Sequence, residues 1–497
     1  MTRITRRDLL IGAATAGAGS MLAGCRTTEI AGGAARGDSS TEVAIVGAGL
    51  AGLTAARELA KAGRDCLVLE ARGRVGGRTL NGQLPDGGPI EIGGQWVGPT
   101  QDRLLALAAE LGVDTYLTYD EGNYVDFRNG QRTEYGHLFP ADPAGVGLNR
   151  IPPTDPAGAA EAGASIELLN MMAAEVPPDA PWTAASAVAW DSQTFQSWME
   201  SNLVTPGGKG LLTLAIESVF SAQPRDLSLL HVLFYIRAAG DLNALINTSG
   251  GAQERRFVGG SQRLSILAAQ QLGERVRLDS PVRRIVQDEV GVAVEGDDFT
   301  VRARRVIVAV PPALAARIRH EPGLPALRDQ MTQRMPMGSV IKLMCVYPTP
   351  FWREAGLAGQ ATSDTGPVKI TFDNSPADGH VGVLLGFMEG TDGRVYSGKT
   401  PDERRAAAIE CFANYFGDAA RSPVAYIEQD WSREEYSRGG YGGAFGPGGW
   451  LDFGTALRTP VGRVHWAGTE TAAVWNGYMD GAVRSGERAA AEVLALL

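Results

Sequence analysis

The stretch TEVAIVGAGLAGLTAARELAKAGRDCLVLEA, residues 41–71, leaves the chain few choices. A short β-branched run leads into a glycine turn, an amphipathic segment and a second apolar run ending at Glu70. That is the pattern of one complete βαβ unit. Gly47, Gly49 and Gly52 stand as G-x-G-x-x-G at the strand-to-helix joint. The first permits the tight turn, the second lets backbone approach a pyrophosphate, and the third lets the helix pack closely on the strand. The helix start around Ala51 offers unpaired amides and a positive dipole end to phosphates. Glu70, 18 residues after Gly52, is placed to accept hydrogen bonds from ribose hydroxyls.

The next segment favours FAD over NAD. RGRVGGR, residues 72–78, sets a second glycine pair, including Gly77, between three arginines. A longer, doubly charged dinucleotide lying across the sheet could use it, and Arg78 could pair with its phosphate oxygens. EIGGQWVG (91–98) adds another Gly-Gly turn, and QDRLLALAAELG (101–112) reads as an amphipathic helix.

At 497 residues the chain exceeds what one core supports, so at least two domains are expected. The pattern turns helical from about 116 to 257, with LNRIPPTDPAGAA as a surface break. Sheet signals return at ERVRLDSPVRRIVQ, at a hairpin around EGDD and at RVIVAVPP, and a mixed stretch occupies 332–433. The expected fold is α/β: a Rossmann-like FAD-binding domain assembled from 41–115, 258–331 and 434–497, with an inserted α+β substrate domain of 116–257 and 332–433.

Net charge is −10 with no Lys/Arg-rich block beyond the first residues, so no nucleic-acid partner is expected. Cys25, Cys66, Cys345 and Cys411 form no C-x-x-C pair and the five histidines are scattered, so no metal site is expected. Arg6 and Arg7 precede an uncharged Gly/Ala-rich stretch that ends in LAGC, resembling a twin-arginine export signal with a lipobox over residues 1–25. Residues 26–40 then read as a flexible tether. The expectation is a periplasmic or outer-face lipoprotein whose only membrane contact is a lipid on Cys25, or a plainly cleaved signal whose cysteine is incidental.

The blocks VLEARGRVGGRT, GGQWVGPTQDRLLALAAELG, GGAQERRFVGGS, RMPMGSVIKLMCVY and HWAGTETAAVWNGYMDGAVRSGERAAAEVL together resemble the flavin-containing monoamine oxidase family over 41–497. The resemblance implies an aromatic cage of Tyr441 and Tyr478 standing against the flavin. It implies that Gly477 allows the backbone bend there and that a helix starting near Met479 aims its positive end at the ring. Lys342, in an apolar strand, would hold a water against flavin N5. Trp431 would flank the flavin, the backbone of Val282 would meet the adenine, and Glu470 would lie near the ribityl and pyrophosphate. Ala71, Arg72, Gly94, Gln95, Trp96 and Gly468 complete the implied cofactor contacts. Animal members attach FAD through a cysteine directly before the cage tyrosine; Gly440 stands there, so noncovalent FAD is expected.

The implied activity is oxidation of a primary or secondary amine to an imine, then to aldehyde and ammonia, with O2 reduced to hydrogen peroxide or electrons passed to a carrier protein. The partner is a small-molecule amine, and an oligomer is compatible with the sequence. An L-amino-acid oxidase would need an arginine clamp and a polyamine oxidase a distal carboxylate; the segment 210–240 decides neither. A non-catalytic flavin-binding module is a further alternative, against which Lys342, Tyr441 and Tyr478 stand together.

Overall fold

The run Val43–Val46 is buried at every position, as a strand covered on both faces must be. In the computed structural model, which describes residues 37–136 and 155–497, it pairs in parallel with Cys66–Leu69 and with Arg305–Val308. Val276–Arg277 and Val464–Trp466 complete a five-stranded, all-parallel sheet. Helix Leu50–Lys61 makes the first crossover, burying Leu53 and Leu59. The last helix, Met479–Leu494, lies along it. Glycine is required at this contact, because a Cβ on Gly486 would sit 2.3 Å from the Ala51 carbonyl oxygen.

A second five-stranded sheet carries the hairpins expected around EGDD: Arg284–Gln287, Val292–Glu295 and Thr300–Ala303 are antiparallel neighbours. Ser39–Ser40 pairs in parallel with Val301 and Arg302 at its edge, so the tether expected through residue 40 becomes ordered strand before its end. The export-signal residues, Cys25 among them, and the part of the Pro-rich break up to Thr154 lie outside the described residues. From Pro156 the chain is helix, through Ala174, capped by Asp155.

A seven-stranded sheet forms the floor of the second half. Its order is Ala425–Asp430, Val340–Tyr347, Gly382–Glu389, Ile370–Asp373, Leu357–Ser363, Asn123–Arg128 and Gln131–Tyr135. Its last two strands correct the helical reading of the stretch after 116. They form a hairpin with Arg128 opposite Gln131, turned by Asn129 and Gly130 at φ 52° and 73°, the positive values a two-residue turn of this kind demands. Thr115–Leu117 and Trp96–Val97 both pair with Arg255–Phe257 in a three-stranded sheet. Helices Pro156–Ala174, Pro206–Phe220 and Leu229–Ala239 pack over an apolar core including Leu212, Ile216, Phe234 and Trp450. No helix among the described residues is long and apolar enough to cross a membrane.

Candidate active site

One cavity of about 950 Å³ runs from the glycine turn, past Lys342, to the helices Pro156–Ala174, Pro206–Phe220 and Leu229–Ala239. At its nucleotide end Gly47 holds φ 102°, and a Cβ there would meet the Ala309 carbonyl oxygen at 3.0 Å. Gly52 does not line the cavity; it lies under the turn, where a Cβ would fall 1.9 Å from the Gly47 carbonyl oxygen. Gly49 caps the helix without any side-chain hydrogen bond to its first turn, leaving those amides to a ligand. Glu70 is buried, and its two oxygens accept from the Ala48 amide (2.7 Å) and the Arg72 amide (3.0 Å). Two backbone donors thus fix its carboxylate at the cavity wall. Ala51, Arg72 and Gly77 line the same end, whereas Ala71 does not.

Arg78 also lines the cavity, but its guanidinium is already engaged. It donates to both oxygens of Glu470 (2.6 and 3.2 Å) and to the Tyr441 carbonyl (2.7 Å). The structure thus pairs the guanidinium with a buried carboxylate and keeps it in the cavity wall. Glu470 is only 1% exposed and does not line the cavity, so it acts by holding Arg78. Val282 is half-buried against the core of the parallel sheet and is likewise absent from the cavity wall.

The far end is built from loops and strands distant in sequence. Lys342 sits in a strand buried at all eight positions. Its Nζ donates to the Gly93 carbonyl at 2.8 Å and to Gln95 Oε1, and it stands 6.0 Å from the Trp96 ring centre. Burial pushes its pKa down to about 7, against the pull of Glu91 and with the push of Arg256. Gln95, expected at the cofactor, spends its amide on this lysine and on Asn374. Trp431 lines the cavity with its indole N–H on the Ile92 carbonyl.

Tyr441 and Tyr478 both line this cavity, as do Gly94, Gly468 and Met479. Phe387 meets the Tyr441 ring edge-on at 5.9 Å. Trp475 packs edge-on against Tyr478 at 4.9 Å, and its own N–H is tied to the Thr100 carbonyl. Of the two aromatics in VWNGYMDGAV, Trp475 is therefore the core residue and Tyr478 the cavity residue. Gly477 is dictated by a close approach: a Cβ there would lie 2.1 Å from Tyr235 Oη. Helix Met479–Leu494 begins directly after Tyr478, which caps it without a side-chain bond, so its positive end points at the cavity.

Sequence reading missed the remaining wall. Leu212, Leu214 and Val219 from helix Pro206–Phe220, with Tyr235, Phe372 and Phe387, make it apolar. Their only sequence signal was membership of apolar helices and strands, which core residues share. No group of His, Cys, Asp or Glu among the described residues could hold a metal ion.

A dinucleotide carrying a flat ring system fits these residues. Gly77 holds φ 59°, and its backbone runs beside Gly49, whose Cα a Cβ on Gly77 would approach to 3.4 Å, so two glycine loops border the nucleotide end with no side chain between them. In the cavity wall the indole N–H of Trp96 is buried without a partner, a donor awaiting an acceptor. Gly440 offers no sulfur, and Cys66, Cys345 and Cys411 are buried outside the cavity lining. Flavin is therefore expected to separate from the polypeptide on acid precipitation, read as flavin absorbance in the supernatant. Flavin retained in the pellet would overturn noncovalent binding.

Comparison with known proteins finds relatives along most of the chain. The family model described as flavin containing amine oxidoreductase matches residues 50–494. A Mycobacterium tuberculosis protein bearing the name flavin-containing monoamine oxidase AofH is 42% identical over 459 residues, covering 92% of this chain and 97% of its own. Among solved structures, wild-type putrescine oxidase bound to putrescine is 36% identical with a TM-score of 0.86, covering 92% and 100% of the two chains. Cyclohexylamine oxidase from Brevibacterium oxydans is 33% identical with the same TM-score, covering 92% and 99%.

Proposed function

Because the chain belongs to the flavin containing amine oxidoreductases, which bind FAD, we propose that it oxidises a primary amine at the end of the cavity lined by Tyr441, Tyr478 and Lys342. The observation that carries this is the convergence of those three side chains, from three distant segments, on one mostly apolar cavity. When bound, FAD supplies the acceptor for the hydride equivalent lost from the amine α-carbon. The products are set by balance: R–CH2–NH2 loses two electrons and two protons to give the imine, and water converts that to aldehyde and ammonia. The two electrons and two protons reduce O2 to hydrogen peroxide.

The chain's own part is placement and proton control. The two tyrosine rings exclude water and present electron-rich faces to the amine. A dry cage favours the neutral amine, the form with a lone pair to release. Lys342 Nζ, with two of its directions fixed by Gly93 and Gln95, can hold a water on the cavity side.

The wall also bears on substrate class. Arg72 and Arg78 are the arginines among the described lining residues, and both stand at the nucleotide end. No arginine of the apolar end is there to clamp a carboxylate, which weighs against an amino-acid oxidase. Asp120 and Glu167 line the cavity, which supports a second reading in which the substrate is a diamine whose far ammonium meets a carboxylate.

Peroxide release from FAD-loaded protein should be measured with benzylamine, phenethylamine, putrescine, spermidine and L-leucine. Turnover of an arylalkyl amine, lost on Tyr478→Ala, is the expected result. Preference for putrescine, reduced by Asp120→Asn, would favour the diamine reading. Turnover of L-leucine alone would overturn both.

A further inference from the structure

Behind Tyr441, on the side away from the cavity, sits a carboxyl group that amine oxidation itself does not use. Glu389 ends strand Gly382–Glu389, is 7% exposed and does not line the cavity. Its Oε1 accepts the Tyr441 hydroxyl at 2.6 Å and the Ser221 hydroxyl at 3.4 Å. The charged groups around it are Glu217 from helix Pro206–Phe220 and Lys369. Lys369 is already claimed twice, by Glu217 at 3.2 Å and by Asp392 at 2.9 Å. One lysine thus stands among three carboxyl groups, and the one with no cation of its own is Glu389.

We propose that Glu389 is the positioning residue for the cage tyrosine, a buried acid kept neutral at working pH that anchors the Tyr441 hydroxyl and keeps negative charge out of the cage. The inference rests on the amine-oxidising reading of the site. A neutral carboxyl still accepts the phenol hydrogen bond, so the ring is held without a charge beside it. Once ionised, the carboxylate would draw the phenol proton closer in a charge-assisted bond. It would also favour the ammonium form of a bound amine, which has no lone pair, and would oppose the arrival of negative charge on the acceptor. Both effects act in the same direction and slow the reaction. Desolvation, with Glu217 acting in the same direction, pushes the Glu389 carboxyl up from 4.5 to about 8. The donors Tyr441 and Ser221 and the charge of Lys369 oppose that shift without cancelling it.

The test combines two readouts on the FAD-loaded protein. Infrared difference spectra between neutral and alkaline pH should show a protonated carboxyl stretch that disappears as pH rises through about 8. That band should be absent in Glu389→Gln, which keeps the shape and an acceptor for Tyr441 but cannot ionise. In Tyr441→Phe the band should move, because its hydrogen-bond donor is gone. The second readout is the rate of anaerobic flavin bleaching by the preferred amine. Wild type should lose about tenfold on its alkaline limb, the equivalent of one unit in the bound amine's pKa, and Glu389→Gln should lack that limb. A band unaffected by both substitutions, or an alkaline limb that persists in Glu389→Gln, would overturn the proposal. If no amine bleaches the flavin, the reading of the function fails, and the infrared result still decides whether Glu389 is the neutral acid that holds Tyr441.

Discussion

Replacing Lys342 by methionine is expected to lower kcat/KM for the preferred amine by about 100-fold or more, the scale of a lost proton-handling group, while the protein stays folded and keeps its FAD. The fold should survive because methionine is a flexible apolar side chain suited to filling an irregular gap in a strand whose neighbours are all buried. The Gly93 carbonyl and Gln95 Oε1 lose their donor, at about 1–3 kcal/mol for each acceptor left dry. Against this, the cost of holding an amine in a fully desolvated position disappears. The same substitution has a pH signature. The folded-state pKa of Lys342 is depressed from 10.5 to about 7, so between those values the unfolded chain binds the proton more readily than the native one. The Lys342 contribution to stability must then rise with pH across that window. Lys342→Met should lack this rise, read from unfolding midpoints at about pH 7 and pH 10, the two ends of the window. An unchanged kcat/KM in a folded, FAD-replete variant would remove Lys342 from the chemistry.

The parts legible in the sequence were those whose signal is local. The Gly47–Gly49–Gly52 turn, its two strands and its helix lie within 31 consecutive residues, and Gly47 and Gly52 each have a steric reason visible in the structure. The hairpin at Asn123–Tyr135 was equally local. Its Asn129-Gly130 turn was a clear signal, hidden because the segment opens a stretch dominated by helices. Tyr441 and Tyr478 are different: they stand 37 residues apart, and spacing alone cannot bring them to one cavity. Only the pattern of a whole family could pair them. Val282 rests on the same carry-over by position; it packs half-buried against the sheet core and does not line the cavity. Glu389 had no legible role at all. In GFMEG it reads as an acidic residue at the end of a strand, where solvent is the default; its burial depends on helix Pro206–Phe220 and on the loop carrying Tyr441. Gly390 after it holds φ 55°, which marks the chain's turn there but not the carboxyl's partner.

The largest expected loss of stability lies behind Lys342, in the ion pair of Arg256 and Glu91. Both are about as buried as the core, at 2% and 1% exposure. Arg256 donates to Glu91 and also to the carbonyls of Asn374 (2.9 Å) and Ser375 (3.0 Å), and its guanidinium lies 5.4 Å from the Tyr116 ring centre. One side chain therefore joins the small three-stranded sheet to the strand leading into Gly93–Gln95 and to the end of Ile370–Asp373. Arg256→Met is expected to cost about 3–5 kcal/mol, because it strands a buried carboxylate rather than merely deleting an attraction. The comparison that separates these causes is the double variant Arg256→Met/Glu91→Leu. If the stranded charge dominates, the double variant is more stable than Arg256→Met alone, in urea unfolding at saturating FAD; if the lost carbonyl contacts dominate, it is no better. The pair also reaches the site. Glu91 holds the Lys342 pKa up and Arg256, by a smaller effect, holds it down, so Arg256→Met should move the pH dependence attributed to Lys342 upward, and the double variant should bring it back at least to the wild-type position.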